Sequence, residues 1–300
     1  GIGKNIDSAK SGFLRRSVST LLLVPFLLAV LYPFLWMVFG IFKTNHEFFQ
    51  PLRIWPMKPL NGEYWMKLAD TFFPNELSMR NIHELVIGKW VPFWDVLLNS
   101  MLSSFGQAIG AVALSAMTGY AFARLKFHWK NIYFVIVLAL ILVPRQLFAV
   151  PLFSWLNTLG LNDSIFGIIL PGVITGLGVI YFTQVFRKIP VEYSQVARTC
   201  GASEFRVFLT LLSLIWPAIL SYGMIHFVLA WHEHLLPMLV LSTESQQTLP
   251  IALAKLYDVS QRTPQGVQMA ASTFSLIPTA LLFALCHRKF KSSLSDMLVH

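Results

Sequence analysis

Ile189-Pro190-Val191-Glu192-Tyr193-Ser194-Gln195-Val196-Ala197-Arg198-Thr199-Cys200-Gly201-Ala202-Ser203 is a polar turn set between two apolar runs, Ser164 to Phe186 and Val207 to His232. A simple membrane anchor has no need of it. Pro190 suits a first helical turn, where its missing N–H costs nothing, and Glu192 complements the positive end of the helix. Gly201 permits the left-handed cap at which a helix stops and the chain reverses. The run therefore predicts a short helix, closed by a glycine elbow and held outside a bilayer.

Composition supports the bilayer. Of 300 residues, 55% are hydrophobic and 12% charged, whereas an ordinary soluble domain carries about 25% charge. The chain reads as an all-α integral membrane protein. Cys200 and Cys286 are too few and too far apart for a disulfide framework, and neither has a partner at metal-binding spacing. The net charge of +9 would suggest nucleic acid in a soluble protein, but here the position of the charges relative to the membrane decides their meaning. No nucleic-acid partner is expected.

Stretches free of Asp, Glu, Lys and Arg run over 17–42, 96–123, 131–144 (resuming after Arg145 to 162), 164–186, 207–232 and 263–287. Each can hold a spanning helix of roughly 20 residues, which predicts six spans. With the amino terminus inside, the inner segments carry Lys4, Lys10, Arg15 and Arg16, then Arg124, Lys126 and Lys130, then Arg187, Lys188, Arg198 and Arg206, then Arg288, Lys289 and Lys291. The positive-inside rule puts both termini and the 187–206 loop in the cytoplasm. The organisation expected is a cytoplasmic segment 1–16, a six-span domain 17–290 with an extracytoplasmic loop 43–95 and a coupling loop 187–206, and a cytoplasmic tail 291–300. The first apolar run is too long for a secretory signal and lacks its small-residue exit. Trp55, Trp65, Phe72 and Phe73 in the outer loop are enough for a small folded cap.

The run from Pro190 and Glu192 through Ala197 to Gly201-Ala202-Ser203 and Phe208 resembles the cytoplasmic "EAA" loop of binding-protein-dependent ABC importer permeases. Tyr120-Ala121-Phe122-Ala123-Arg124, Val143-Pro144 with Gln146, Leu159-Gly160-Leu161-Asn162, Trp231 with Glu233, Thr248-Leu249-Pro250 and Met269-Ala270-Ala271-Ser272 are similar to the carbohydrate-uptake branch, specifically the smaller permease subunit of maltose-type importers. The likeness covers nearly the whole chain in order. Departures fall inside the loop: Gln195-Val196-Ala197 stands where the pattern has Glu-Ala-Ala, and Cys200 where it has Asp.

The resemblance implies a multi-pass permease in the bacterial cytoplasmic (inner) membrane. It would pair with a second, non-identical permease, sit on two ATPase subunits, and receive a saccharide from an extracytoplasmic solute-binding protein. Glu192, Tyr193, Ser194, Gln195, Val196, Ala197, Gly201 and Ala202 would meet the ATPase. Thr248, Leu249 and Pro250 would meet the binding protein. ATP and Mg would belong to the partners, since the sequence has no GxxxxGK[ST] phosphate cradle and no catalytic cluster. This chain is expected to bind no cofactor and to be no enzyme.

Arg145 falls about 21 Å along a helix from the inner end of the third span, where a charge must be used or paired. It reads either as a cavity residue for sugar hydroxyls or a carboxylate, or as an ion pair with the partner permease or a side chain snorkelling outward; Gln146 is a cavity candidate beside it. Arg145 and the basic chain together favour an acidic, uronate-containing saccharide such as alginate. His232-Glu233-His234 does not read as a metal site, because neighbours on a helix diverge by about 100°. Asn99, Gln107, Tyr181 and Gln184 read either as interhelical hydrogen bonds or as substrate contacts, and His226 as a satisfied bundle residue rather than a proton relay. The alternative, an ion-coupled secondary transporter, would need broken helices at midplane and often an inverted repeat, and neither is legible in the sequence. A membrane enzyme would need an acid, base or nucleophile cluster, and the acidic residues lie almost wholly in loops.

Overall fold

The computed structural model describes residues 23–48, 66, 72–258 and 262–298, with side chains up to Cys286. Among these residues the protein is all-α, without strands. The elements are α1 Leu23–Gly40, α2 Asn45–Phe48, α3 Arg80–Val86, α4 Phe93–Arg124, α5 Lys130–Leu142, α6 Ala149–Thr158, α7 Ile165–Gly172, α8 Gly176–Lys188, α9 Val191–Thr199, α10 Glu204–Leu214, α11 Trp216–Trp231, α12 Leu235–Val240, α13 Leu249–Leu256 and α14 Gln265–Leu298. The start of the first expected span at 17, and Trp55 and Trp65 of the outer loop, lie outside the described residues. The chain divides into two compact units, 1–86 with 262–274, and 87–261 with 275–300.

In the first unit, Asn81 on α3 donates to Ile41 O at 2.7 Å and Lys43 O at 2.8 Å, tying the end of α1 to the return of the loop. Phe72 packs edge-on to Tyr32 and Trp36, and Phe73 lies 4.9 Å from Phe39. These contacts give the described part of the expected cap its aromatic seam. Such rings contribute through offset and edge geometry as well as through burial.

The second unit is built on α4, against which α8, α11 and α7 pack. Small residues allow the close approach. A Cβ on Gly119 would stand 2.7 Å from Phe182 Cβ and 2.8 Å from Thr183 N, so the α4 and α8 backbones are in contact there. Elsewhere in the unit large apolar side chains are exposed, Leu142 of α5 at 84% and Leu285 of α14 at 76% among them, which suits a hydrocarbon solvent rather than water.

Six spans were expected; the described residues hold three to six, according to how bent pairs are counted. Leu23–Gly40, Phe93–Arg124 and Gln265–Cys286 are each long and apolar enough to cross unaided, while three further candidates are bent pairs. These are α5 with the turn Arg145–Phe148 and α6 (95°), α7 with α8 (45°) and α10 with α11 (80°). Counting each pair as one span gives six. Prolines explain two of the breaks. Pro144 biases Val143 away from helix, and Pro217 lacks the N–H, and its ring would collide with the carbonyl, that a helix continuing from Ser213 requires. At the α7–α8 break, Thr175 starts the new helix by accepting from Gly178 N. The reading that found no broken helices in the sequence is therefore overturned.

Candidate functional site

The polar turn folds as α9, Val191–Thr199. Pro190 is its N-cap, with φ −54° and ψ 141°, rather than a residue of the first turn; it sits one place earlier than expected. Glu192 takes the first-turn position. The helix ends in a complete Schellman motif. Ala202 N donates to Ala197 O at 3.1 Å and Gly201 N to Arg198 O at 2.9 Å, with Gly201 at φ +78°. A Cβ on Gly201 would meet nothing within 4 Å, so its requirement is the left-handed backbone and not space.

The helix faces sort the expected coupling residues. Ser194 is fully buried and donates to Val191 O, while Ala197 and Ala202 pack on the aromatic core of Tyr120, Phe182, Phe186, Val207 and Phe208. Glu192, Tyr193, Gln195 and Val196 point out, Tyr193 and Val196 being 54% and 61% exposed. Tyr193 and Val196 thus form an exposed apolar face on an otherwise polar helix, with Ser194, Ala197 and Ala202 behind it.

Both ends of the loop are tied to the last turn of α4. Arg124 donates through Nη2 to Phe186 O at 2.8 Å and also to Ile189 O. It thus caps α8 at its negative end, where a cation is favoured. One turn earlier, Tyr120 donates to Glu204 Oε2 at 2.8 Å, and Arg198 grips the same carboxylate through Nε at 2.7 Å and Nη2 at 3.3 Å. The hydrogen bond to Glu204 raises the Arg198 pKa further above its usual range. Sequence reasoning quoted Tyr120 and Arg124 only for their family likeness and missed the role of Glu204. Their spacing of four residues, on one helix face ahead of a polar loop, was the available signal.

Arg145 and Gln146 lie in the exposed turn after Pro144, not within a straight third span. Arg145 Nη2 donates to Ile174 O at 3.3 Å. His226, buried, lies with Nε2 3.0 Å from Gly172 O, and Tyr222 OH is 3.1 Å from Thr175 Oγ1. Arg145 and His226 thus each meet one carbonyl at the α7–α8 break, where carbonyls freed in a membrane need partners, and Tyr222 meets the Thr175 hydroxyl. Tyr222, Thr175 and Gly172 were not singled out; the pairing of Tyr222 with His226 four residues on, opposite Pro171-Gly172, was the signal. Tyr181 OH donates to Ala218 O at 3.3 Å, and Gln107 is buried against Gly172. Gln184 is exposed. His232 Nδ1 engages Val228 O, and Glu233 accepts from Leu235 N.

At the other end of α4, Asn99 Nδ2 donates to Ser245 O at 2.7 Å and Gln247 O at 3.2 Å, and Ser100 Oγ accepts Leu249 N at 2.7 Å. Asp163, with φ +56°, accepts from Ser242 N and Thr243 N, both at 2.9 Å, and from Thr243 Oγ1. The Thr243 hydroxyl, helped by the two N–H groups, holds the Asp163 carboxyl below the usual carboxylate range. Thr248 and Leu249 are 4% and 1% exposed within this chain, and Pro250 is half-buried. The surface here is presented by Ser242, Thr243, Glu244 and Ser245.

The model of the family described as binding-protein-dependent transport system inner membrane component matches residues 111–295. The arabinooligosaccharides transport system permease protein AraQ of Halalkalibacterium halodurans is 29% identical over 229 residues, 75% of this chain and 80% of that protein. The sn-glycerol-3-phosphate transport system permease protein UgpE of Shigella flexneri is 25% identical over 235 residues, 75% of this chain and 83% of that protein. Among solved structures, a chain of a bacterial ABC transporter involved in the import of the acidic polysaccharide alginate superposes with TM-score 0.76 at 17% identity, covering 93% of this chain and 97% of that one.

Proposed function

We propose, from the premise that this chain belongs to the binding-protein-dependent transport system inner membrane component family, that it is a permease subunit of an ATP-driven importer of saccharides. It moves cargo across the bacterial cytoplasmic membrane by alternating access, with both termini inside. The observation that carries this reading is α9: a short helix closed by a Schellman turn, with Tyr193 and Val196 facing out and both flanks tied to one spanning helix. Such an element takes up force from a docked partner without unfolding. Two separate ATPase subunits supply ATP and Mg, a second, non-identical permease completes the cavity, and a solute-binding protein delivers the cargo. The Ser242–Ser245 surface, backed by buried Thr248 and Leu249, is where that protein docks.

The cargo is an oligosaccharide, and an acidic uronate-containing one fits best. Arg145 is an exposed guanidinium beside Gln146 at the break of a span, placed to meet a carboxylate by charge-assisted hydrogen bonds. Relatives named for arabinooligosaccharides and for sn-glycerol-3-phosphate show that neutral and anionic cargoes both occur among similar chains. The test is ATP-dependent uptake into vesicles holding the full complex, with labelled uronate oligomers and maltodextrins compared. Fast uptake of maltodextrins with none of uronates rejects the acidic cargo. Copurification of the ATPase, and its loss on Val196→Asp, tests the coupling helix. A complex that survives this change with ATP-linked uptake intact rejects that assignment. The secondary-transporter alternative gains no support from the α7–α8 break, where the Gly172 and Ile174 carbonyls are met by His226 and Arg145 of this chain.

A further inference from the structure

One helix holds both docking loops. At its outer end α4 carries Asn99 and Ser100, which hold the 245–249 backbone by three hydrogen bonds. At its inner end it carries Tyr120 and Arg124, which hold the exit and entry of the coupling helix. The helix between them is continuous over Phe93–Arg124, while three neighbouring spans bend by 95°, 45° and 80°. The 21 residues from Asn99 to Tyr120 cover about 32 Å of helix, enough to cross the hydrocarbon core. A bent span absorbs an axial push at its break; an unbroken one passes it on.

We propose that α4 is the strut that couples the Ser242–Gln247 turn outside to the coupling helix inside. Asn99 and Ser100 are its outer positioning residues, and Tyr120 and Arg124 its inner ones. This rests on the importer reading and adds a route for the signal: binding protein seated on the outer turn reaches the ATPases through α4, and ATP-driven closure reaches the outer turn the same way, as reciprocity of coupling requires. The inner part of the strut is closely packed. Gly119 lets α8 into backbone contact, and Ser115 and Ala116 are buried beside it.

The test uses the full complex in lipid vesicles and reads the ratio of ATPase rates with and without loaded binding protein. Asn99→Ala cuts the outer tie and Tyr120→Phe removes one inner hydroxyl. Each is expected to lower the ratio by about three- to tenfold. The double variant is expected to be no worse than the more severe single one, because both cut one line. Ratios equal to the wild type, or reductions that multiply in the double variant, overturn the strut. A second readout is hydrogen exchange at the Ser242–Gln247 amides with and without a non-hydrolysed ATP analogue. The analogue is expected to change exchange there in the wild type and less in Tyr120→Phe; an equal change in both overturns the proposal. A wild-type complex that binding protein fails to stimulate overturns the importer reading with it, whereas a stimulated wild type with equally stimulated variants overturns the strut alone.

Discussion

The two loops held by α4 are held by different chemistry. The inner loop hangs on ions: a guanidinium on two carbonyls at one end, and a carboxylate shared by Tyr120 and Arg198 at the other. The outer loop hangs on the neutral amide of Asn99 and the hydroxyl of Ser100, with two carboxylates beside them, Asp163 accepting from Ser242 and Thr243 and Glu244 pairing with Lys255. Charged ties are stronger per bond and sensitive to salt, while neutral ties are weaker and less sensitive to it. The inner loop is thus built to carry load at a wet interface, and the outer loop to keep its shape.

The sharpest way to break the inner half alone is Gly119→Ala. Its methyl would meet Phe182 Cβ at 2.7 Å and Thr183 N at 2.8 Å, backbone that cannot swing aside. We expect a loss of about 3 kcal/mol, seen as a lowered thermal midpoint of the detergent-purified complex. The milder Gly106→Ala, which meets the flexible tip of Ile169, serves as its control.

Arg124→Ala comes next. It strands the Phe186 and Ile189 carbonyls at the loop entry and is expected to cost about 2 kcal/mol; Arg124→Lys should recover part, since its ammonium carries donors for both carbonyls on a shorter stem. Protease resistance of the 187–206 loop measures this directly.

Gly201→Ala should cost about 1 kcal/mol, set by φ +78° and not by crowding. Gly201→Asn should cost less, because Asn tolerates the left-handed region. A reversed order, read from ATPase copurification, would reject the backbone explanation.

The outer loop responds to acid. The Asp163 carboxyl sits below its ordinary range because it accepts from the Thr243 hydroxyl first and two N–H groups second. A depressed carboxylate stabilises above its unfolded pKa, about 3.9, and that stabilisation is lost as pH falls through the lower folded value. The protection factors of the Ser242 and Thr243 amides should therefore fall below about pH 4 in the wild type, and Asp163→Asn should remove the acid step. The smallest effect is salt on the Arg198–Glu204 pair, whose side chains are 37% and 50% exposed. Molar salt should loosen the helix exit by no more than about 0.5 kcal/mol.

Periodicity and punctuation made much of this molecule legible. The glycine at 201 marked a helix end because few other residues adopt φ +78° cheaply, and the structure has a Schellman turn there. The outward face of α9 followed less well. The resemblance put Ser194 among the ATPase contacts, yet it is fully buried, with its hydroxyl satisfied by Val191 O. Thr248 and Leu249, implied by the same resemblance as contacts of the binding protein, are tucked under the turn that Asn99 holds. Arg145 was placed on a straight helix because charge-free length says nothing about where a span bends.

By itself the sequence determined a membrane protein with basic inner segments, six apolar stretches and a capped helix between the fourth and fifth, because hydropathy, charge asymmetry and turn chemistry are local properties of the chain. Only the tertiary structure decided which spans break, which side chains take the freed carbonyls, and that α4 grips both 187–204 and 245–249. Those ties join residues 62 to 149 positions apart. A hydrogen bond across such a distance depends on how helices pack, and no local pattern in the chain encodes it.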